Sequence, residues 1–512
     1  MNRLRVFTSI SAIIVSNHYK ALKVTDHMSP LARSGFTASP YAALPICLSL
    51  ISLTTALPAQ AESSIWYKDG NPLNVTVPAA ISSGYVGNTA CAAPNLQNAL
   101  TLGEVADATL CNNPQTREAW ANARVQAAQV GIARSAYLPS VTDTVGTNIN
   151  VTSPELATRN NAYSNLSNSI VASYLLYDFG NRDATLESAR QLLQAASATQ
   201  DVTVQTLLLS AVQAYYQVQA NIAALDASRE AERASEESFK AADARYKAGV
   251  ATPADKLQAQ TAYAQATLSR ITAEGNLKTA YGTLANVMGI QANQPIRLVN
   301  NTNYSTLQPV SDDIDALIEQ ARNRRPDLMA SEAQVKAAQA SIDASKAAAK
   351  PTVSIAMSNS QQDGSSLTSA NTSTLGLTVS IPLFSGYAPT YRIRSAEATR
   401  EVRAAQRDRI RLQISLDVWN AYQNLRTANE SVIAAQVLVQ SAEESSRVAL
   451  GRYKAGVGNI IDTLNAQSAL ASAKQQLIQA YLNGNVARAT LAQAVGVLDN
   501  AMIQTLPDQN NP

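Results

Sequence analysis

The chain has 512 residues, a formal net charge of +2, 15% charged residues and only 5% aromatic ones. So even a balance excludes a nucleic-acid binder, which presents a basic stripe, and a chain rich in Ala, Gln and Ser suits long helices packed through small side chains rather than one large core. The two histidines, His18 and His27, lie near the N-terminus in a segment expected to be removed, which leaves no Ser-His triad, histidine base or histidine metal site.

Neither a Gly-x4-Gly-Lys phosphate loop nor a Gly-x-Ser-x-Gly elbow occurs. No cofactor and no metal are expected, and the chain does not read as an enzyme. In chain order, the apolar run Ala42–Leu57 ends in Pro58-Ala59-Gln60-Ala61, an A-x-A cleavage pattern before Glu62. Residues 1–61 are thus read as a secretory signal peptide, with either Met1 or Met28 as the start. The bulky Ile46 before Cys47 speaks against lipid attachment there. Export leaves Cys91 and Cys111, which in an oxidising compartment read as a disulfide; two buried free thiols are the alternative.

Residues 62–97 read as an N-terminal arm, and Asn98 to Ala108 as a short helix. Asn113-Pro114 begins a helix to about Ala136, with Asn at the cap and Pro in the first turn; Tyr137-Leu138-Pro139 ends it. The period then becomes two. Strands are predicted at about 140–152 and 162–177, with Val141, Val145, Ile149, Leu166, Ile170 and Tyr174 on one face and Thr and Ser on the other. This is the alternation of a transmembrane β-barrel strand or of a soluble sheet with one wet face. A helix from about Asp183 to Lys247 follows, roughly 100 Å long at 1.5 Å per residue. Val204, Leu208, Ala211, Tyr215, Val218, Ile222 and Leu225 form a heptad seam along it. Gly249 breaks the helix, Pro253 opens the return helix to about Val287, and Gly289 ends that. Residues 98–290 make a first repeat, and 291–311 an irregular linker.

The second repeat, 312–497, restates the first. A short helix runs from Ile314 to Arg322, and another from Arg325-Pro326-Asp327 to about Ala349. Strands are predicted at about 352–360 and 372–384, separated by a Gly/Ser loop from Gln361 to Asn371. Pro389 opens a second very long helix with a seam at Ile414, Val418, Ala421, Leu425, Ala428, Val432 and Ala435. The tail from Leu498 reads as polar and loose. The repeat is most visible at two hairpin tips, 245–252 and 452–459. Arg245-Tyr246-Lys247-Ala248-Gly249-Val250 returns as Arg452-Tyr453-Lys454-Ala455-Gly456-Val457, and the alignment runs on without a gap, with roughly twenty identities in about 46 positions.

Four strands cannot close a barrel, and an open edge in lipid leaves backbone groups unpaired. If the strands enter a membrane, the chain must assemble with copies of itself. An open bore favours twelve strands over eight, because small barrels fill with their own side chains.

These features together resemble the TolC-like outer membrane efflux, or outer membrane factor, family. The resemblance rests on Leu100-Thr101-Leu102 to Leu110 with Asn113-Pro114, Tyr137-Leu138-Pro139, Tyr177-Asp178-Phe179-Gly180, the paired Arg-Tyr-x-x-Gly tips, Arg325-Pro326-Asp327-Leu328 and Pro382-Leu383-Phe384-Ser385-Gly386. It implies a homotrimer in the outer membrane: a 12-stranded barrel set in lipid, continued by a periplasmic α-barrel of long helical hairpins. It also implies a periplasmic adaptor (membrane-fusion) protein and an inner-membrane transporter of the RND or ABC type, passing drugs or secreted proteins. At the periplasmic gate the resemblance places Asp255 and Tyr453, and an acidic ring at Asp462 whose second acid is Asn465 here. The family's gate arginine falls at Gly458. The tip residues Arg245, Tyr246, Lys247, Gly249, Val250, Arg452, Lys454, Gly456 and Val457 are the expected adaptor contacts. Asp255 can equally be a helix-start residue, and the tip tyrosines packing anchors. The Cys91–Cys111 arm and the run Leu110-Cys111-Asn112-Asn113-Pro114-Gln115-Thr116 also resemble members serving type I secretion. The reading from another class is an exported coiled-coil structural protein or adhesin without a channel.

Overall fold

The computed structural model describes residues 71–79, 98–151, 162–299, 313–364, 367–499 and 503. The signal segment, Cys91 and most of the arm lie outside the described residues. All elements below belong to the compact unit Leu73–Pro512. In chain order they are α1 (Leu102–Asn112), α2 (Pro114–Ser135), β1 (Ser140–Val151), β2 (Ala162–Tyr177), α3 (Asn181–Lys247), α4 (Pro253–Val287), α5 (Ile314–Arg324), α6 (Pro326–Ala347), β3 (Thr352–Gly364), β4 (Leu367–Ser380), α7 (Ala388–Lys454) and α8 (Ile460–Val495).

The two 67-residue helices, α3 and α7, set the architecture. Each is too long to pair with one partner. Near the strands the packing order is α2, α3, α6, α7; toward the tips it is α4, α3, α8, α7. Two short helices thus replace each other along each rod. The seam residues of α3 are buried apart from half-buried Ile222, and all of those of α7 are buried. Those of α3 from Val204 to Ile222 pack with Leu102, Leu110, Leu284 and Met288, and the first five of α7 with Leu317, Leu328 and Leu491.

Local chemistry explains where the elements begin. Thr101 and Glu104 form a capping box at α1, which starts this helix four residues later than the sequence predicts and carries it to Asn112. Asn113 caps α2 by accepting from the Gln115 amide at 2.9 Å, and its Nδ2 donates to the Val287 carbonyl at 3.0 Å. Where β2 turns into α3, the Asp178 carboxylate accepts from the Gly180 and Arg182 amides and pairs with the Arg182 guanidinium.

At the start of α6, Arg325 pairs with Asp327 at 2.6 Å and with Asp417 of α7 at 2.9 Å. Removing it strands two carboxylates in a half-buried site. Arg325→Ala is expected to lower stability by about 1.5–3 kcal/mol, read as an earlier thermal unfolding transition.

Further boundaries differ from expectation. Most of the loop predicted at 361–371 is strand: β3 runs to Gly364 and β4 starts at Leu367. The polar side chains there remove the alternation, but backbone pairing does not need it. β4 ends at Ser380 rather than 384, close before Pro382, which has no amide to donate. The tail is not wholly loose, because Leu498 and Ile503 are buried in the α3 core. The linker likewise contributes to the core: Ile296 and Leu298 are buried, and Leu298 makes a parallel bridge with Leu100.

Candidate functional site

The four strands form one antiparallel sheet in the order β1-β2-β3-β4. Register fixes what each face carries. Val141 lies opposite Ala172, Ala172 opposite Met357, and Met357 opposite Leu375. Residues directly opposite share a face, so this face gathers Val141, Val145, Ile170, Tyr174, Ile355, Met357, Leu375, Leu377 and Val379. Most are exposed, including Leu375 at 71% and Leu377 at 65%. The other face carries Thr142, Thr144, Ser167, Ser169, Ser354, Ser358, Thr374, Gly376 and Thr378. A sheet that leaves its apolar face exposed, with small polar residues on the other face, is unlike a soluble sheet, which buries its apolar face, and matches a barrel with lipid outside and water inside. β1 and β4 each pair on one side only.

Sequence reasoning missed a belt of aromatic side chains where strands meet helices. Tyr177 and Phe179 stack edge-on at 4.7 Å, and Phe384 and Tyr387 at 5.5 Å. All four are exposed. Lys350 lies over Phe179, Arg182 over Tyr137 and Arg394 over Tyr391. Aromatic rings, the tyrosines among them amphipathic, with cations beside them suit the headgroup layer. The signal was present in the Tyr-Asp-Phe-Gly and Leu-Phe-Ser-Gly-Tyr corners.

At the far end, both tips close as the repeat predicts. Val250 donates to the Arg245 carbonyl and Gly249 to that of Tyr246, while Val457 and Gly456 repeat this onto Arg452 and Tyr453. Gly249 and Gly456 take φ of +70° and +79°, which only glycine adopts freely. Val250 and Val457 are exposed, as are Tyr246, Lys247, Arg452 and Lys454.

The expected gate residues divide. Asp255 closes a capping box: its carboxylate accepts from the Thr252 amide at 3.0 Å and from the Thr252 hydroxyl at 2.8 Å. Its helix-start role therefore holds. Tyr453 is buried among Ala242, Ala259 and Ile460, with Phe239 and Leu464 packed around them. The Arg245 guanidinium sits 4.8 Å from its ring centre and donates to its carbonyl at 3.0 Å. Arg245 is thus engaged by the second tip and only partly open to a partner. Asp462 and Asn465 are exposed on the first turns of α8. Beside the first tip, Asp243 accepts from Lys247 at 2.7 Å and Lys256 at 2.8 Å. The Lys247 hydrogen bond, then that of Lys256, holds its carboxyl below the usual range. These contacts are therefore fully formed at neutral pH and are lost only as pH falls through that lowered value.

Gly458, where the resemblance puts an arginine, is closed to any side chain. A Cβ there would lie 2.8 Å from the Tyr453 nitrogen and 2.9 Å from the Arg452 carbonyl carbon. Gly458→Ala is expected to loosen the second tip by about 1–3 kcal/mol, read as faster amide exchange over residues 452–460. Cys111 is disulfide-bonded; its partner lies outside the described residues.

A membrane sheet with two open edges, rods of about 100 Å joined directly to it and paired hairpin tips at the far end together define an outer-membrane channel subunit with a periplasmic extension. The sequence profile of the outer membrane efflux protein family matches residues 105–290 and 317–497, and the chain belongs to that family. Protein CyaE of Bordetella pertussis is 30% identical over 416 residues, covering 80% of this chain and 86% of that one. Outer membrane protein TolC of Salmonella enteritidis is 24% identical over 422 residues, covering 79% and 83%. Among solved structures, CusC superposes with a TM-score of 0.70 at 20% identity, over 82% of this chain and 98% of that one. The protein is an outer-membrane export channel, and the non-channel reading is set aside.

Proposed function

We propose that three copies of this chain close a 12-stranded barrel and a continuous helical tunnel, through which drugs or secreted proteins pass from a periplasmic adaptor and an RND or ABC transporter. One observation carries this: the sheet and the helix row are open on the same two sides. β1 and β4 are unpaired at the edges, while α7 and, on the opposite flank, α2 and α4 end the row. These flanks expose apolar side chains: Leu412, Trp419 and Ile433 on α7, Leu257, Leu268 and Ile271 on α4. Joining flank to flank satisfies both layers at once.

The exposed tips, with Val250 and Val457 beside Lys247 and Lys454, offer the adaptor an apolar spot within a basic rim. Three copies of Asp462 ring the mouth and attract cations; Asn465 leaves that ring weaker than two acids would. Deleting the gene and assaying both drug susceptibility and the secreted protein profile tests the function. Hypersensitivity, or loss of a secreted protein, is expected; the absence of both changes would overturn the export role.

A further inference from the structure

The first and second hairpins of one chain meet through α3 and α8. Toward the tips, three polar contacts among the described residues join them. Arg245 stacks on Tyr453 and bonds its carbonyl. Ser238 bonds Gln467 at 3.0–3.2 Å. Glu230 pairs with Lys474 at 2.8 Å. The repeat offset that carries Arg245 to Arg452 carries Tyr453 back to Tyr246, Ser238 to Ser445 and Gln467 back to Gln260. In two of the three contacts, both residue types are kept. The third is not, because Glu230 and Lys474 map to Val437 and Thr267.

In a ring of three copies, which is the reading given above, the turn that carries hairpin one onto hairpin two carries hairpin two onto the first hairpin of the next copy. The α3–α8 contact then becomes a contact of α7 with the neighbour's α4, and the Arg245–Tyr453 contact becomes one of α7 with the last turn of the neighbour's α3. Those are the two open flanks. The kept residues sit there without their counterparts. Tyr453 and Ser238 are buried, at 6% and 3% exposure, whereas Tyr246 is 40% exposed and Ser445, Gln260 and Arg452 are all exposed. Leu464, packed beside Tyr453, maps to Leu257, which is 60% exposed.

We infer that Arg452 seats on Tyr246 of the neighbouring copy while Ser445 bonds that copy's Gln260, repeating between protomers the clamp that Arg245 and Ser238 make within one. Lys256 lies 5.4 Å over the Tyr246 ring and is neutralised by Asp243, so Arg452 takes the opposite ring face. The mouth then holds six arginine–tyrosine contacts. Three lie inside protomers and survive any change in spacing between copies. Three lie between protomers and part when the mouth widens.

Cross-linking in the full-length membrane protein separates the two kinds. Ser445→Cys with Gln260→Cys, treated with a short bismaleimide, is expected to give covalent two- and three-chain species on denaturing gels. Ser238→Cys with Gln467→Cys, the same contact within a chain, is expected to run as one chain. Adding Arg452→Ala is expected to cut the inter-chain yield several-fold, with Arg452→Lys restoring part of it. A single-chain product from the Ser445/Gln260 pair, in protein whose native mass is three chains, overturns the clamp and leaves the trimer standing. A native mass of one chain overturns the trimer, and the clamp with it.

Discussion

Leu377→Arg in β4 is expected to remove the protein from the outer membrane, while Thr378→Arg, one residue on, is expected to leave it there with an altered bore. Leu377 is 65% exposed on the face it shares with Ile355 and Tyr174. An arginine in the apolar middle of a barrel costs about 2–4 kcal/mol per copy, so three copies cost on the order of 6–12 kcal/mol per assembly. That is comparable to the whole stability of a typical domain. Thr378 lies opposite Ser354 on the other face, where an arginine remains in water. Fractionation should find the first variant aggregated or degraded. The second should insert, and its single-channel reversal potential should move toward anions.

Gly289→Ala is expected to be the most damaging single-methyl change. Gly289 ends α4 at φ +70°. A Cβ there would lie 2.7 Å from the carbonyl carbon and oxygen of Asn112 and 2.8 Å from the Asn113 nitrogen, all backbone atoms held by the α1–α2 junction. Forcing a side chain into a left-handed position costs about 1–3 kcal/mol, and overpacking a tight contact adds about 1–3 kcal/mol. The thermal transition should fall by many degrees. Gly103→Ala meets nothing within 4 Å and should leave it unchanged.

What the sequence discloses follows from periodicity. The seam from Val204 to Leu225 and that from Ile414 to Ala435 stand out because burial on a long helix repeats every three to four residues. The strands show where lipid and water face opposite sides. In the outer halves of β3 and β4 both faces are polar: Asn359, Gln361 and Asn371 on one, Ser358, Ser360 and Thr372 on the other. No pattern marks them, although the backbone ladder continues. The tips are legible through duplication, but duplication does not say which copy of a residue is buried. Tyr453 sinks into a socket of Ala242, Ala259 and Ile460 while Tyr246 stays exposed; that difference arises from tertiary packing across some two hundred residues. Asp255 fits a gate residue and a capping residue equally well by position alone. The Thr252 hydroxyl establishes the cap, a role that a place at the mouth does not exclude.

A membrane pore built by subunits that cannot close alone makes one decisive demand. Protein extracted from outer membranes with detergent should have the native mass of three chains, and in a planar bilayer each particle should give one stable, water-filled conductance. A single chain that stays soluble without detergent and passes no current would contradict the account.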